Sequence, residues 1–356
     1  MKTMFIAGCI AVCSVSAYAA AFEGVPDRDV VYKRVGDTEL KLHIFNPPNL
    51  SESDKRPAIV FFFGGGWFQG HPRQFYPHCE YLASRGMVAM SAEYRVSSRN
   101  KTTPKECVMD GKSAVRWIRQ HAAELGIAPD KVMAGGGSAG GHVAAATGTT
   151  KGFEEDGEDL GISSRPCALV LFNPVFDNGP RGYGYDQVKA YWKQISPMHN
   201  IDSNTPPTIV FLGTKDALIP AATAEAYQKR MQESGNRCDL HLYEGQPHGF
   251  FNYNQKENYT KTVIAMDRFL ASLGYLVGEP TIQGAGTSQK AAVTSVQDGF
   301  VSRLWAAPWC VENVAGASLD RAEIALERTW LGDRCTFRLT NKGARLVTTQ
   351  DGRPSG

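Results

Sequence analysis

Ser138 stands in the pentapeptide Gly136-Gly137-Ser138-Ala139-Gly140, directly after Lys131-Val132-Met133-Ala134-Gly135 and directly before the small-residue run from Gly141 to Ala146. A short apolar strand, a G-x-S-x-G turn and a helix-compatible segment in unbroken succession form the setting in which a serine becomes a nucleophile. The turn strains the serine backbone, and a side chain at either flanking glycine would strike the adjoining strand or helix. The hydroxyl is left exposed at the sheet edge over a helix N-terminus, whose dipole favours developing negative charge. In a chain with 36 glycines the same pentapeptide also arises in ordinary loops. The reading therefore depends on an acid, a histidine and an oxyanion hole at the right places.

Acyl transfer by serine needs a base for the hydroxyl proton, an acid to orient the resulting imidazolium, and fixed donors for the oxyanion. In an open α/β sheet with this turn, the members follow in the order Ser, acid, His. Asp216 comes after the apolar stretch Thr208 to Leu212 through Gly213-Thr214-Lys215, which predicts a loop at a strand's C-terminal end, where such sheets bind ligands. His248 lies in Gly245-Gln246-Pro247-His248-Gly249-Phe250; between proline and glycine it belongs to a loop, not to a helix face. His43, His71, His78, His121, His142, His199 and His241 fall on a strand, on helices or in early loops. Gly64-Gly65-Gly66-Trp67 follows another apolar run, and successive glycines let backbone N–H groups approach a substrate oxygen. Gly65, Gly66 and Ala139 are the expected oxyanion donors. A phosphate loop is excluded because no G-K-[ST] follows.

These loops need a sheet beneath them. Val30-Val31-Tyr32 and Leu40 to Phe45 alternate as half-exposed strands that predict an N-terminal antiparallel pair. Pro57 to Phe63, Met87 to Tyr94, the stretch before Ser138, Ala168 to Phe172 and Thr208 to Leu212 are continuous apolar runs, the pattern of strands buried on both faces of a parallel sheet. Leu240 to Tyr243 completes the set. Helical spacing appears around His78 to Ser84 and from Lys112 to Leu125. Alternating strand and helix predicts an α/β, mostly parallel, doubly wound sheet. Phe176 to Asn204, with Tyr183, Tyr185, Tyr191 and Trp192, breaks the rhythm and reads as an insertion over the active-site face.

Lys2, the apolar Met4 to Val15 and Ala17-Tyr18-Ala19 form a signal-peptide pattern over residues 1–19, which predicts an exported protein with no stable membrane span after cleavage. Cleavage would remove Cys9 and Cys13, leaving Cys79, Cys107, Cys167, Cys238, Cys310 and Cys335. None forms C-x-x-C or a zinc-spaced Cys/His cluster, so neither a metal nor another cofactor is expected. A net charge of +2 and the lack of a basic run interleaved with aromatics argue against nucleic acid as a partner. Thr281 to Ala292 reads as a linker, followed by a helix near Leu319 to Leu331 and a hairpin of Thr336 to Leu339 with Arg345 to Thr348. The expected organisation is a signal peptide at 1–19, a catalytic domain at 27–278, and a linker with C-terminal extension at 281–356.

Phe62-Phe63-Gly64-Gly65-Gly66-Trp67, Glu93-Tyr94-Arg95, the Gly136 to Gly141 elbow, Asp216 and His248-Gly249-Phe250 together resemble the α/β-hydrolase esterases of the hormone-sensitive-lipase-like group. They are closer still to the exported acetyl-xylan and feruloyl esterase-like (BD-FAE-like) branch. The resemblance spans about Asp27 to Gly278. It implies an α/β-hydrolase fold, a Ser138-Asp216-His248 triad, and structural bracing by Asp110, Arg116 and Trp117. It implies hydrolysis of acetyl or feruloyl esters of polysaccharides; the alternatives are a general short-chain carboxylesterase, a peptidase of the same fold, or a non-catalytic ligand-binding homologue. One position departs from the pattern: Phe63 stands where the family usually has a histidine that braces the glycine loop, so the loop's support must differ here.

Overall fold

The computed structural model describes residues 24–282 and the backbone of three strands beyond them. The chain divides into two compact units, residues 1–286 and 287–356. The signal-peptide segment, most of the expected linker and Cys310 lie outside the described residues.

The first unit is built on an eight-stranded sheet: β1 (Arg28–Val35), β2 (Thr38–Phe45), β3 (Arg56–Phe62), β4 (Val88–Ala92), β5 (Ile127–Gly137), β6 (Leu169–Phe172), β7 (Thr208–Gly213) and β8 (Cys238–Tyr243). In space the order is β1-β2-β4-β3-β5-β6-β7-β8. β1 pairs antiparallel with β2, and β2 with β4; every later pairing is parallel. The helices are α1 (Tyr76–Ser84), α2 (Ser97–Asn100), α3 (Pro104–Gln120), α4 (Ala139–Thr149), α5 (Tyr185–Val188), α6 (Trp192–Ile195), α7 (Ala221–Glu233) and α8 (Lys256–Ser272).

Side chains alternate across a strand, and here both faces are apolar and buried. Val60 and Phe62, Leu169 and Leu171, and Val210 and Leu212 enter one core with Val115 and Ile118 of α3, Val143 of α4 and Tyr227 of α7. Ile59 and Phe61, Val170 and Phe172, and Ile209 and Phe211 enter the other with Leu82 of α1 and Val263, Met266 and Leu270 of α8. Each such side chain contributes roughly 1.5–3 kcal/mol on burial. Continuous apolar runs are therefore what these strands require.

Helix α3 begins at Pro104, well before the apolar spacing that starts at Lys112. The cause is a capping box: Lys105 N–H donates to Thr103 Oγ1 at 3.3 Å, and Thr103 N–H donates to Glu106 Oε2 at 2.8 Å. The residues expected as braces tie α3 to its surroundings. Asp110, fully buried, accepts from Arg95 N (2.9 Å) and Nη2 (2.7 Å) and pairs with Lys33 Nζ at 2.7 Å. Arg116 pairs with Glu158 at 2.8 Å and with Glu154, and Trp117 packs against the core on its side of the sheet.

Cys79, Cys107 and Cys238 are buried free thiols and Cys167 is a half-buried one. Among the described residues no helix is long and apolar enough to cross a membrane. The second unit contains β9 (Ala325–Leu331), β10 (Arg334–Asn341) and β11 (Ala344–Thr348), an antiparallel sheet in the order β11-β10-β9. The hairpin expectation matches β10 and β11. The expected helix near Leu319 to Leu331 is corrected: from Ala325 to Leu331 the chain is a strand. Its pairing with β10 from Ala325↔Thr340 to Leu331↔Arg334 overrides a weak local helical preference.

Candidate active site

The elbow forms because three elements meet with no room for side chains. β5 runs to Gly137, Ser138 takes φ 53° and ψ −120°, and α4 starts at Ala139. A non-glycine residue at positive φ is strained. The strain is held by hydrogen bonds on both sides: Ser138 N–H donates to Phe172 O at 3.0 Å, and Ser138 O accepts from His142 N and Val175 N at 3.0 and 3.2 Å. A Cβ at Gly140 would lie 2.1 Å from Phe62 O, and one at Gly136 2.5 Å from Gly140 O. The helix therefore packs against the backbone of β3, which only glycine permits.

Asp216 follows β7 and His248 follows β8, so neighbouring parallel strands deliver both at their C-terminal ends. Their loops are tied together: Lys215 N–H donates to Gln246 O at 3.0 Å and Gly245 N–H to Thr214 Oγ1 at 2.8 Å. Asp216 Oδ2 is 2.7 Å from His248 Nδ1, and His248 Nε2 is 3.0 Å from Ser138 Oγ. The other carboxylate oxygen, Oδ1, accepts from Leu218 N at 2.8 Å and Ile219 N at 2.9 Å. The Asp216 side chain is fully buried while the imidazole is 23% exposed, so the carboxylate is screened from water and the ring is partly open to it. With Nδ1–H donated to a buried carboxylate, Nε2 is left as the acceptor facing the hydroxyl.

The glycine loop lies beside the serine: a Cβ at Gly64 would be 3.2 Å from Ser138 Cβ. Phe68 and Gln69 both donate through N–H to Gly65 O at 3.1 Å, and Gly65 has φ +136°. A Cβ there would lie 2.0 Å from Gln69 O, so the curl depends on glycine. Gly66 follows at φ +64°, and Ala139 is the fully buried first residue of α4.

Phe63 requires a different support, and the structure supplies it. Tyr94 Oη donates to Phe63 O at 2.6 Å while the two rings stack at 4.2 Å. Arg99 Nη1 donates to Gly70 O at 2.9 Å, and Ser97 and Ser98 N–H donate to Trp67 and Phe68 O. Trp67, buried, packs edge-on to His142 and against Tyr183. Burial holds the His142 imidazole down, to about 4, so it is neutral at physiological pH.

The insertion folds as α5, α6 and a 3₁₀ turn at Pro197–His199. It reaches the glycine loop through Tyr183, whose Oη would stand 3.2 Å from a Cβ at Gly66. Burial raises the Tyr183 phenol, so the hydroxyl stays protonated. Sequence reasoning missed Gln74, Arg99, Asn173 and Asn252 around this site. Each acts through contacts with residues distant in sequence that no local pattern marks.

Known families and solved proteins resemble this chain in sequence and fold. The BD-FAE family model matches residues 42–169, and that of the dienelactone hydrolase family matches residues 182–276. The apo form of Thermogutta terrifontis esterase 2 is 46% identical, with a TM-score of 0.69, over 74% of this chain and 99% of that one. A probable carboxylic ester hydrolase of Mycobacterium tuberculosis, LipM, is 26% identical over 69% of this chain, and the acetylxylan esterase of Xylanibacter ruminicola is 28% identical over 56%. The chain spans 61% and 42% of the length of those two relatives. With a mostly parallel sheet, a serine at a strained elbow and 46% identity to a solved esterase over 74% of its residues, this chain belongs to the α/β-hydrolase esterases, in their BD-FAE-like branch.

Proposed function

We propose that this chain is an exported serine carboxylic ester hydrolase acting through Ser138, His248 and Asp216 on acetyl or feruloyl esters of polysaccharides. The observation that carries the chemistry is the unbroken line from Asp216 Oδ2 through His248 to Ser138 Oγ, at 2.7 and 3.0 Å. His248 Nε2 takes the hydroxyl proton as Ser138 Oγ bonds to the ester carbonyl carbon. The tetrahedral oxyanion is held by the N–H groups of Gly65, Gly66 and Ala139. Collapse breaks the ester C–O bond, and His248 returns the proton to the departing alcohol. Water then repeats the cycle on the acyl-enzyme and frees the acid. Asp216 orients the ring and stabilises its charged form.

The substrate class is supported by the acetylxylan esterase among the relatives and by the aromatic insertion beside the glycine loop. The signal-peptide pattern at residues 1–19 supports export. A second reading, a general short-chain carboxylesterase, draws on the propionate-bound structure of the Thermogutta enzyme. Hydrolysis of p-nitrophenyl acetate and labelling by a fluorophosphonate are expected of the native chain and lost in Ser138→Ala. Undiminished turnover in that folded variant would overturn the assignment. Release of acetate from acetylated xylan, or of ferulate from feruloylated arabinoxylan, separates the polysaccharide reading from the short-chain one.

A further inference from the structure

A run of side-chain amides joins the glycine loop to the histidine turn. Gly64 N–H donates to Gln74 Oε1 at 2.7 Å. Gln74 Nε2 then donates to Asn252 Oδ1 at 2.9 Å, and Asn252 Nδ2 donates to Gly249 O at 2.7 Å. Gln74 belongs to the 3₁₀ turn Pro72–Phe75, just past the glycine loop, and Asn252 lies in the turn that follows His248. The two residues are 178 positions apart, and Asn252 is buried.

The amide orientations fix one another. Turning Gln74 over would set its NH₂ against the Gly64 N–H and its carbonyl against Asn252 Oδ1. Turning Asn252 over would set two carbonyls together at Gly249. The run is therefore polar in one direction, with every group in it paired. Its ends fall one residue short of the chemistry on each side: Gly64 precedes Gly65, and Gly249 follows His248. Tyr94 and Arg99 hold the glycine loop at Phe63 and Gly70, but the amide pair ties it to the turn that carries the base.

We propose that Gln74 and Asn252 are positioning residues that set the distance between the oxyanion donors and His248, a role that rests on the ester-hydrolase reading above. Oxyanion donors act only when held 2.7–3.1 Å from where the charge develops, and the proton acceptor must meet the same tetrahedral carbon's serine. A bridge between the two loops keeps both conditions satisfied at once. Its loss lets the loops shift relative to each other without removing any reacting group.

The test is steady-state hydrolysis of p-nitrophenyl acetate by Gln74→Leu, Asn252→Ala and the double variant, with melting temperatures measured alongside. Gln74 is half-buried, so Gln74→Leu keeps the test open if Asn252→Ala fails to fold. The expected result is a fall in kcat of about tenfold to a hundredfold with KM within about twofold, since misplacement of about 1 Å costs rate, not ground-state binding. The double variant should lose no more than the worse single one, because both cuts sever the same bridge. Wild-type kcat in a folded Gln74→Leu, or losses that simply add, would overturn the proposal. Ser138→Ala keeps the two ideas apart: persistent turnover there refutes the ester-hydrolase reading, whereas a dead Ser138→Ala beside a fully active Gln74→Leu refutes only the bridge.

Discussion

Asn173 Nδ2 lies 3.4 Å from His248 Nε2, the same ring nitrogen that is 3.0 Å from Ser138 Oγ. Asn173 is fully buried directly after β6, and its Oδ1 accepts from Gly249 N–H at 3.0 Å. With the amide so fixed, its NH₂ faces the lone pair of that ring nitrogen and shares it weakly with the serine. Asn173→Ala leaves the part-buried Gly249 N–H without its partner. It should cost about 1–3 kcal/mol of stability and lower kcat about tenfold by loosening the histidine turn. Denaturant melts and kinetics on the same preparation check both.

Asp110 is expected to matter for stability and not for turnover. It is fully buried between Arg95 and Lys33, and removing one member of such a cluster leaves uncompensated charge, at a cost of about 3–5 kcal/mol. Asp110→Ala should therefore unfold at much lower urea, while the fraction still folded hydrolyses ester at the wild-type rate per active site. A normal unfolding midpoint would contradict this account of the cluster.

Gly140→Ala should fail at the level of folding. Its Cβ would sit 2.1 Å from Phe62 O and 2.3 Å from Phe63 O, both backbone atoms of the central sheet region, which cannot give way cheaply. A loss of about 3 kcal/mol or more is expected, measured as a fall in melting temperature or in soluble yield.

Acid sensitivity should trace in part to His78. Its ring is enclosed by Phe75, Phe172, Phe251 and Tyr259, and neither ring nitrogen has a hydrogen-bond partner among the described residues. Burial lowers its pKa to about 3, as burial lowers that of His142 to about 4. A histidine kept neutral in the fold contributes stability that is complete above the unfolded value near 6.5. That contribution is lost as pH falls from there towards 3, by about 1.4 kcal/mol per pH unit for each such group. His78→Leu, similar in volume, should flatten this decline between pH 6 and 4 and leave stability at pH 7 equal or higher. An unchanged pH slope in urea titrations would count against it.

Much of this protein was legible in its residues because the signals are local. Strands buried on both faces must be continuously apolar, so β3 to β7 announce themselves. The elbow needs small residues around Ser138, and a loop histidine between proline and glycine has little else to do. The N-terminal hairpin declared itself by alternation. The start of α3 was also written locally, in Thr103 and Glu106, but as a cap and not as apolar periodicity, and so escaped a reading by spacing.

Other features exist only once the chain has closed on itself. That β4 lies between β2 and β3 depends on which faces the helices cover. That residues 325–331 form a strand depends on β10 being there to pair with them. The sequence by itself determined the order Ser138, Asp216, His248, since each sits beside its own strand end. Tertiary structure alone decided how those ends are held in register. Gln74 and Asn252, or Asn173 and Gly249, acquire meaning only when loops many residues apart are brought within about 3 Å, the reach of a single hydrogen bond.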